Sequence, residues 1–419
     1  MNQGPFSVAV IGAGPAGLTV AGYLARSGVR VTIIEEAVQA GGRLNQLSML
    51  YGRFDQAQSL RQRLLARLDE GKVTIITGAS VTGLREEADG YQLMVGGESL
   101  FCHAIVVATG WAHECRPEEH GLCSTTRAVG LSQVAEALRL PVKQLVKQWR
   151  AKRVAFVLDV SNPFSKVATA TAYQIALTLT EKLAAECYIL GRDARVAGYG
   201  LESLYGKVRR SGVLFLKYEG QRPEVREDDE LFTLQLSQPS LGGSAVVEVL
   251  VDQLVLDEAV IAPPGFSSLA AQLGIRLAQR GKARGVFFGD DTVSLEDTGT
   301  DRAGIFLAGG ARAQMDLEET MLSAGAAAAR VLNYLEIKPE AQAKVEESLC
   351  ARCLTCVRLC PYQAITIDYY RSAEKAAARI SERSCRGCGS CVAACPARAI
   401  ELLETSDAEL RASLGGVSS

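Results

Sequence analysis

Histidine is scarce in this 419-residue chain. There are 3, His103, His113 and His120, close together and without metal-ligand spacing. That excludes a histidine-rich metal centre, and the three read as ordinary surface or loop residues. An excess of one charge is lacking too. The formal net charge of −2 argues against nucleic acid or an anionic membrane surface as partner. No apolar stretch reaches the roughly 18 to 20 residues needed to cross a bilayer, so no direct membrane insertion is expected. An apolar strand begins by about Phe6, which leaves no room for a signal or transit peptide; a cytoplasmic protein is expected. No Cys-x-x-Cys pair precedes residue 350, and no Ser/His/Asp or Cys/His nucleophile arrangement is evident. Dithiol–disulfide chemistry beside a bound cofactor is thereby excluded. Cys102, Cys115, Cys123 and Cys187 belong to no motif and read as buried or idle thiols.

The other eight of the 12 cysteines fall into two runs. The first is Cys350-x-x-Cys353-x-x-Cys356-x-x-x-Cys360-Pro361, and Cys385 to Pro396 repeats it. This is the bacterial ferredoxin spacing. Three thiolates on one tight loop grip three irons of a cube, and the fourth iron needs a distant ligand. Cys350, Cys353, Cys356 and Cys395 are assigned to one 4Fe–4S cluster, and Cys385, Cys388, Cys391 and Cys360 to the other. Each Pro is expected to break the helix that follows the fourth Cys and to fix the chain's exit. A zinc ribbon needs two Cys pairs rather than this 3-3-4 rhythm, and disulfides are rare in a reducing compartment. Ala364–Asp368 and Ala399–Leu403 are strand-like echoes after each Pro. Tyr369–Ser384, between the runs, reads as a solvated helix.

At the other end, the apolar run Phe6–Ile11 leads into Gly12-Ala13-Gly14-Pro15-Ala16-Gly17. A helix to Ser27, a strand Arg30–Ile34 and the acidic pair Glu35-Glu36 follow. This is the dinucleotide fingerprint in context. Gly12 allows the tight turn, Gly14 lets the backbone approach a pyrophosphate at the helix N-terminus, and Gly17 lets helix and strand pack. Glu35 is placed to bond the adenosine ribose.

The fingerprint alone does not separate FAD from NAD. Gly41-Gly42-Arg43, Ile105 to Gly110 (ending Ala108-Thr109-Gly110) and Gly304 to Gly310 (ending Gly309-Gly310) resemble three motifs of the two-dinucleotide-fold flavoproteins. The resemblance implies FAD. Gly42 and Arg43 would lie along its ribityl and phosphate region, and Val81 would hold the adenine through backbone atoms. A helix from near Leu317 to about Leu335 would start under the isoalloxazine. Gly310 departs from the family, in which an Asp often holds the ribityl chain.

Val73–Ile76, Ser80–Arg85 and Tyr91–Val95 read as a small meander. Arg150–Leu158, Glu186–Leu190, Val213–Lys217 and Val246–Leu256 read as strands, with a long helix over Val167–Ala185. This middle block has a nucleotide-binding plan without its glycines: Asp159 to Phe164 follows the first strand, and Asp257-Glu258 follows the last. Two acidic side chains there would repel a dinucleotide phosphate. The expected fold class is α/β, a Rossmann-like two-dinucleotide-binding flavoprotein with a C-terminal α+β ferredoxin domain. The expected division is 1–149 and 259–337 for the FAD-binding domain, 150–258 for the inserted domain, 338–348 for a linker, 349–404 for the ferredoxin and 405–419 for a tail.

Taken together, the chain resembles the FAD-containing subunits of heterodisulfide reductases and their relatives. Beyond the flavin motifs, Arg192 to Glu202 and Asp316-Leu317-Glu318-Glu319-Thr320 carry the resemblance. It implies an oxidoreductase working with other redox subunits (heterodisulfide reductase-like, ferredoxin-, hydrogenase- or dehydrogenase-type donors and acceptors), with a homodimer within the complex among the options. Some relatives hold a further cluster in the middle block; here the matching positions are Asp159, Phe164, Ala168 and Thr169, none a ligand. One FAD and two 4Fe–4S clusters are therefore expected. Lys166 matches by position a basic residue near flavin N5, and a solvated Lys at a helix start is an equal alternative. Three functions stay open: an electron-transfer subunit, with or without electron bifurcation; a self-contained NAD(P)H:ferredoxin-type oxidoreductase; and a redox sensor or scaffold.

Overall fold

The computed structural model describes residues 6–402 apart from 48–49, 51–55, 88, 123–126, 229, 238–245, 276, 278–297, 301, 337–341, 363, 368–376 and 382–384. The expected tail, the first part of the linker and most of the expected helix over Tyr369–Ser384 lie outside the described residues, as does Cys123.

The near-continuous apolar runs near the N-terminus form a parallel sheet covered on both faces, as such runs require. Its order is Ile305–Leu307, Ala104–Val107, Ser7–Ile11, Arg30–Glu35, Val73–Thr77. Side chains alternate between two cores. Val8, Val10, Val106 and Phe306 meet the helices Pro15–Arg26 and Leu317–Glu336. Ala9, Ile11, Ile105 and Ile305 meet an antiparallel sheet and the helix Phe266–Leu273. That antiparallel sheet is Val81–Glu87, Gly90–Val95, Glu98–Cys102. The expected meander is thus shifted by one strand: Val73–Thr77 joins the parallel sheet beside Arg30–Glu35, and Glu98–Cys102 supplies the third member.

A second parallel sheet has the order Leu214–Lys217, Glu186–Gly191, Arg153–Val157, Gln253–Leu256, Ala128–Gly130. Helices Leu131–Ala137, Val142–Trp149, Lys166–Leu183 and Leu201–Arg210 cover one face. The antiparallel strands Glu224–Glu227, Phe232–Ser237 and Val246–Val251 cover the other. This sheet reaches back before residue 150, through Ala128–Gly130. The strand expected over Val246–Leu256 is two. At Asp252 the chain passes from the antiparallel sheet into the parallel one, and the carboxylate accepts Arg153 N–H at 2.8 Å. Among the described residues, no helix is long and apolar enough to cross a membrane.

The C-terminal unit is two interleaved copies of one hairpin plan. Ala343–Val345 pairs with Ile400–Leu402, and Ile365–Ile367 with Ala378–Ile380, all antiparallel. Part of the expected linker is therefore a strand of this unit. The short helices Thr355–Leu359 and Ser390–Ala394 end just before the fourth Cys of each run, so the helix precedes that Cys rather than following it.

Candidate functional site

The first glycine turn separates its three glycines by what surrounds them. Gly12 has φ +105, and a Cβ there would lie 2.6 Å from Ala108 O. A Cβ on Gly17 would lie 1.9 Å from Gly12 O, while one on Gly14 would meet nothing within 4 Å. Packing demands Gly12 and Gly17; Gly14 opens onto free space at the start of the helix Pro15–Arg26, where backbone N–H groups await an anion. Ala13 N–H donates to Glu35 Oε2 at 2.7 Å and Ala37 N–H to Oε1 at 2.9 Å. Glu35 braces the turn, and each oxygen keeps acceptor capacity for a ribose hydroxyl. Glu36 is exposed.

Gly42 packs on Gly14: a Cβ there would lie 2.9 Å from Gly14 Cα. Ala16 faces Gly309, whose Cβ would lie 2.8 Å from Ala16 Cβ. Ala108, Thr109 and Gly110 lie beside the same turn. Gly110 meets nothing within 4 Å, and Thr109 Oγ1 is buried with no hydrogen-bond partner. Val81 opens its strand with a buried side chain, and Leu317 is the first residue of its helix. The open space at Gly14 and Gly110 and the orphaned hydroxyl fit a bound dinucleotide such as FAD. Bound there, FAD would supply the exchange between two-electron and one-electron transfer.

None of the three histidines is a bare surface residue. His103 Nδ1 accepts Ser7 N–H at 3.1 Å, and the ring stands edge-on to Phe6 and Phe101. His120 is fully buried beside Asp257, with Nε2 3.2 Å from Oδ1. His113 lies between Trp111, Arg43 and Glu258. Phe101 and Trp111 lie two residues from the histidines they touch, but Ser7, Arg43, Asp257 and Glu258 come from distant segments, and nothing local in the sequence marks them as partners. Lys166 is an ion-pair residue in this structure. Its ammonium pairs with Glu319 and lies 3.3 Å from Asp316, tying the middle block to the start of Leu317–Glu336.

The second dinucleotide turn is occupied by the protein itself. Asp257, with no exposed surface, accepts the N–H groups of Val160 at 3.0 Å, Ser161 at 3.1 Å and Asn162 at 3.1 Å. Asp159, at φ +66, accepts Phe164 N–H at 3.0 Å and Arg192 N–H at 2.9 Å, and pairs with Arg195 at 2.6 Å. The amides that would cradle a pyrophosphate are spent on internal carboxylates.

In the C-terminal unit two small, solvent-open cavities separate the cysteines. Cys350, Cys353, Cys356 and Cys395 line one; Cys385, Cys388, Cys391 and Cys360 line the other. Each run of three is thus joined by the fourth Cys of the opposite run. Four thiols around each cavity are the ligand number and type that a 4Fe–4S core takes. Backbone N–H groups of Ala378, Ala343, Ala364 and Ala399 point at Cys350, Cys385, Cys360 and Cys395 at 3.3–3.5 Å. Arg386, in the second run, lies 5.5 Å over the ring of Tyr334 on the helix Leu317–Glu336. Elsewhere, burial pushes the Cys102 thiol up to about 12 and those of Cys115 and Cys187 to about 11, which keeps them protonated and idle at neutral pH.

Fold and site define the class: a two-dinucleotide flavoprotein fold joined to a 4Fe–4S ferredoxin domain. Residues 6–157 match the pyridine nucleotide-disulphide oxidoreductase family, and residues 349–399 match the 4Fe-4S dicluster domain, which indicates FAD and 4Fe–4S clusters as cofactors. Within that class the chain is like the A-type, iron–sulfur subunits of heterodisulfide reductases. It is 32% identical to a protein of Archaeoglobus profundus that is itself named as like this A-type subunit, over 50% of this chain and 29% of that protein. It is 31% identical to one of the A-type iron-sulfur subunits of the CoB--CoM heterodisulfide reductase of Methanopyrus kandleri, over 52% of this chain and 34% of that one. The chain therefore spans only about a third of the length of these relatives. Among solved structures, the thioredoxin reductase of T. acidophilum aligns with TM-score 0.54 at 16% identity, covering 79% of this chain and 99% of that one, a likeness of fold.

Proposed function

We propose that this protein is the electron-transfer subunit of a larger redox complex, holding one FAD and two 4Fe–4S clusters. In this reading Gly12–Gly17, Glu35, Gly42–Arg43, Ala108–Gly110 and Gly309–Gly310 hold the FAD. Cys350, Cys353, Cys356 and Cys395 hold one cluster; Cys385, Cys388, Cys391 and Cys360 hold the other. The inserted unit begins at the strand Ala128–Gly130, and the iron–sulfur unit at Ala343.

The observation that carries the reading is Asp257 on the amides of Val160, Ser161 and Asn162. A chain whose second dinucleotide turn is filled by its own carboxylate must receive or pass electrons through a docked protein. The names of its relatives support subunits of heterodisulfide reductase type as those proteins, with bifurcation at the flavin as the finer possibility to test. The chain's own task is then to fix distances and tune potentials through burial and hydrogen bonds to sulfur.

The test is anaerobic reduction of the FAD- and iron-replete protein. NADH and NADPH are expected to leave the flavin band unbleached while dithionite bleaches it. Rapid bleaching by either nucleotide would make the chain a self-contained oxidoreductase instead.

A further inference from the structure

Asp257 and Glu258 follow the strand Gln253–Leu256, and only Asp257 closes the turn after Val157. Glu258 serves a different group. Its Oε2 accepts Ser132 N–H at 2.8 Å, its Oε1 accepts the Ser132 hydroxyl at 2.6 Å, and Oε2 lies 3.5 Å from His113 Nδ1. A Cβ on Gly130 would lie 2.2 Å from Oε1, so that glycine admits the carboxylate. From the other side, Trp111 Nε1 donates to His113 Nε2 at 2.8 Å. An indole N–H can only donate, so Nε2 is the acceptor, and the proton of the neutral ring sits on Nδ1, toward Glu258. Arg43 lies against this imidazole, 3.3 Å and 3.5 Å from its two nitrogens and 5.4 Å over the Trp111 ring. Burial lowers the His113 and Arg43 pKa values against the opposing pull of Glu258.

A neutral ring between Arg43 and Glu258 keeps the two charges from pairing directly. The field of the guanidinium is left for an anion entering the cleft above Gly14 and Gly42. We propose that His113 and Glu258 are positioning residues for Arg43, holding its guanidinium where it stabilises negative charge on reduced flavin. The inference rests on the FAD reading above, and it gives the altered exit of the second dinucleotide turn a task at the first site. Preorganised charge of this kind acts where charge develops.

The test uses the FAD-loaded protein and reads the flavin midpoint potential together with the affinity for oxidised FAD. H113F keeps a ring and removes both hydrogen bonds; R43Q removes the charge. Each is expected to weaken binding of reduced relative to oxidised FAD about tenfold, a potential about 30 mV lower. The double variant should go no further than R43Q alone, and R43K should recover part of the shift. A wild-type potential in H113F or in R43Q, or additive shifts in the double variant, would overturn the proposal while the FAD reading stands. Wild-type protein that takes up no FAD would sink both.

Discussion

The ring of Trp111 lies where a side chain at position 310 would have to go: a Cβ built on Gly310 would stand 2.2 Å from Trp111 Cε3. The missing Asp at 310 is therefore part of a rearranged cleft wall, in which an indole bonded to His113 has taken the space. Gly310→Asp should not restore a ribityl contact. It should displace Trp111, cost about 1–3 kcal/mol as overpacking does, and reduce FAD occupancy. Trp111→Ala with Gly310→Asp should recover part of the stability. Thermal melts and flavin-to-protein ratios of the wild type and both variants check this.

The carboxylate of Asp257 serves three amides in a fully buried place. Asp257→Ala strands those N–H donors, and each unsatisfied buried group costs about 1–3 kcal/mol before relaxation. A loss of several kcal/mol is expected from urea unfolding. The variant should still gain no reduction by NADPH, because the turn after Val157 lacks glycine and Asp159 remains on its own amides. A flavin that NADPH now reduces would show that the carboxylate alone had excluded the nucleotide.

Stability should fall on acidification in two separate windows. Burial holds His113 below the ordinary imidazole value of about 6.5. In the unfolded chain it binds a proton first, so its contribution is complete above about pH 6.5 and is lost as pH falls through the lower folded value. Burial would raise the Glu258 carboxyl, but hydrogen bonds from His113 and Ser132 outweigh it and hold it below the usual range. Its contribution is present above the unfolded carboxylate value and disappears at lower pH still. Urea midpoints measured from pH 7 downward should show the first decline in the wild type and not in His113→Gln.

What was legible in the sequence was what is local along the chain. The three glycines of the first turn, the acidic end of Arg30–Glu35 and the first three cysteines of each run are marked by spacing within short segments, and that spacing encodes their geometry, although Glu35 closes on Ala13 and each cysteine cavity is completed by the other run. Long-range pairings were not legible. His113 meets Glu258 across the chain, and a scattered His with no motif offers no sign of the carboxylate it will face. In the sequence Asp257 reads as repelling a phosphate; in the structure its carboxylate takes the amides a phosphate would use. Val246–Leu256 reads as one strand because its polar residues, Glu248, Asp252 and Gln253, are scattered through a Val- and Leu-rich run, yet Asp252 is where the chain changes sheets. Val73–Thr77 reads as a strand like the two that follow it, and only pairing with Arg30–Glu35 reveals its sheet.

Each cysteine cavity has one hydroxyl contact that can be removed without touching a ligand. Cys353 Sγ lies 3.3 Å from Thr355 Oγ1, and at the equivalent place Cys388 Sγ lies 3.5 Å from Ser390 Oγ. If these sulfurs are cluster ligands, each hydroxyl donates to a thiolate, and such bonds favour the more negative, reduced cluster. Thr355→Val should lower the potential of the cluster held by Cys350, Cys353, Cys356 and Cys395 and leave the other unmoved; Ser390→Ala should do the reverse. The crossing of the fourth ligand supplies the control. Cys395→Ser should perturb the same spectroscopic signal as Thr355→Val, although Cys395 belongs to the other run, and Cys360→Ser should perturb the signal that Ser390→Ala shifts. Low-temperature EPR through a potentiometric titration reads all four variants. If Cys395→Ser instead altered the Ser390→Ala signal, each run would hold its own cluster and the crossed assignment would be withdrawn.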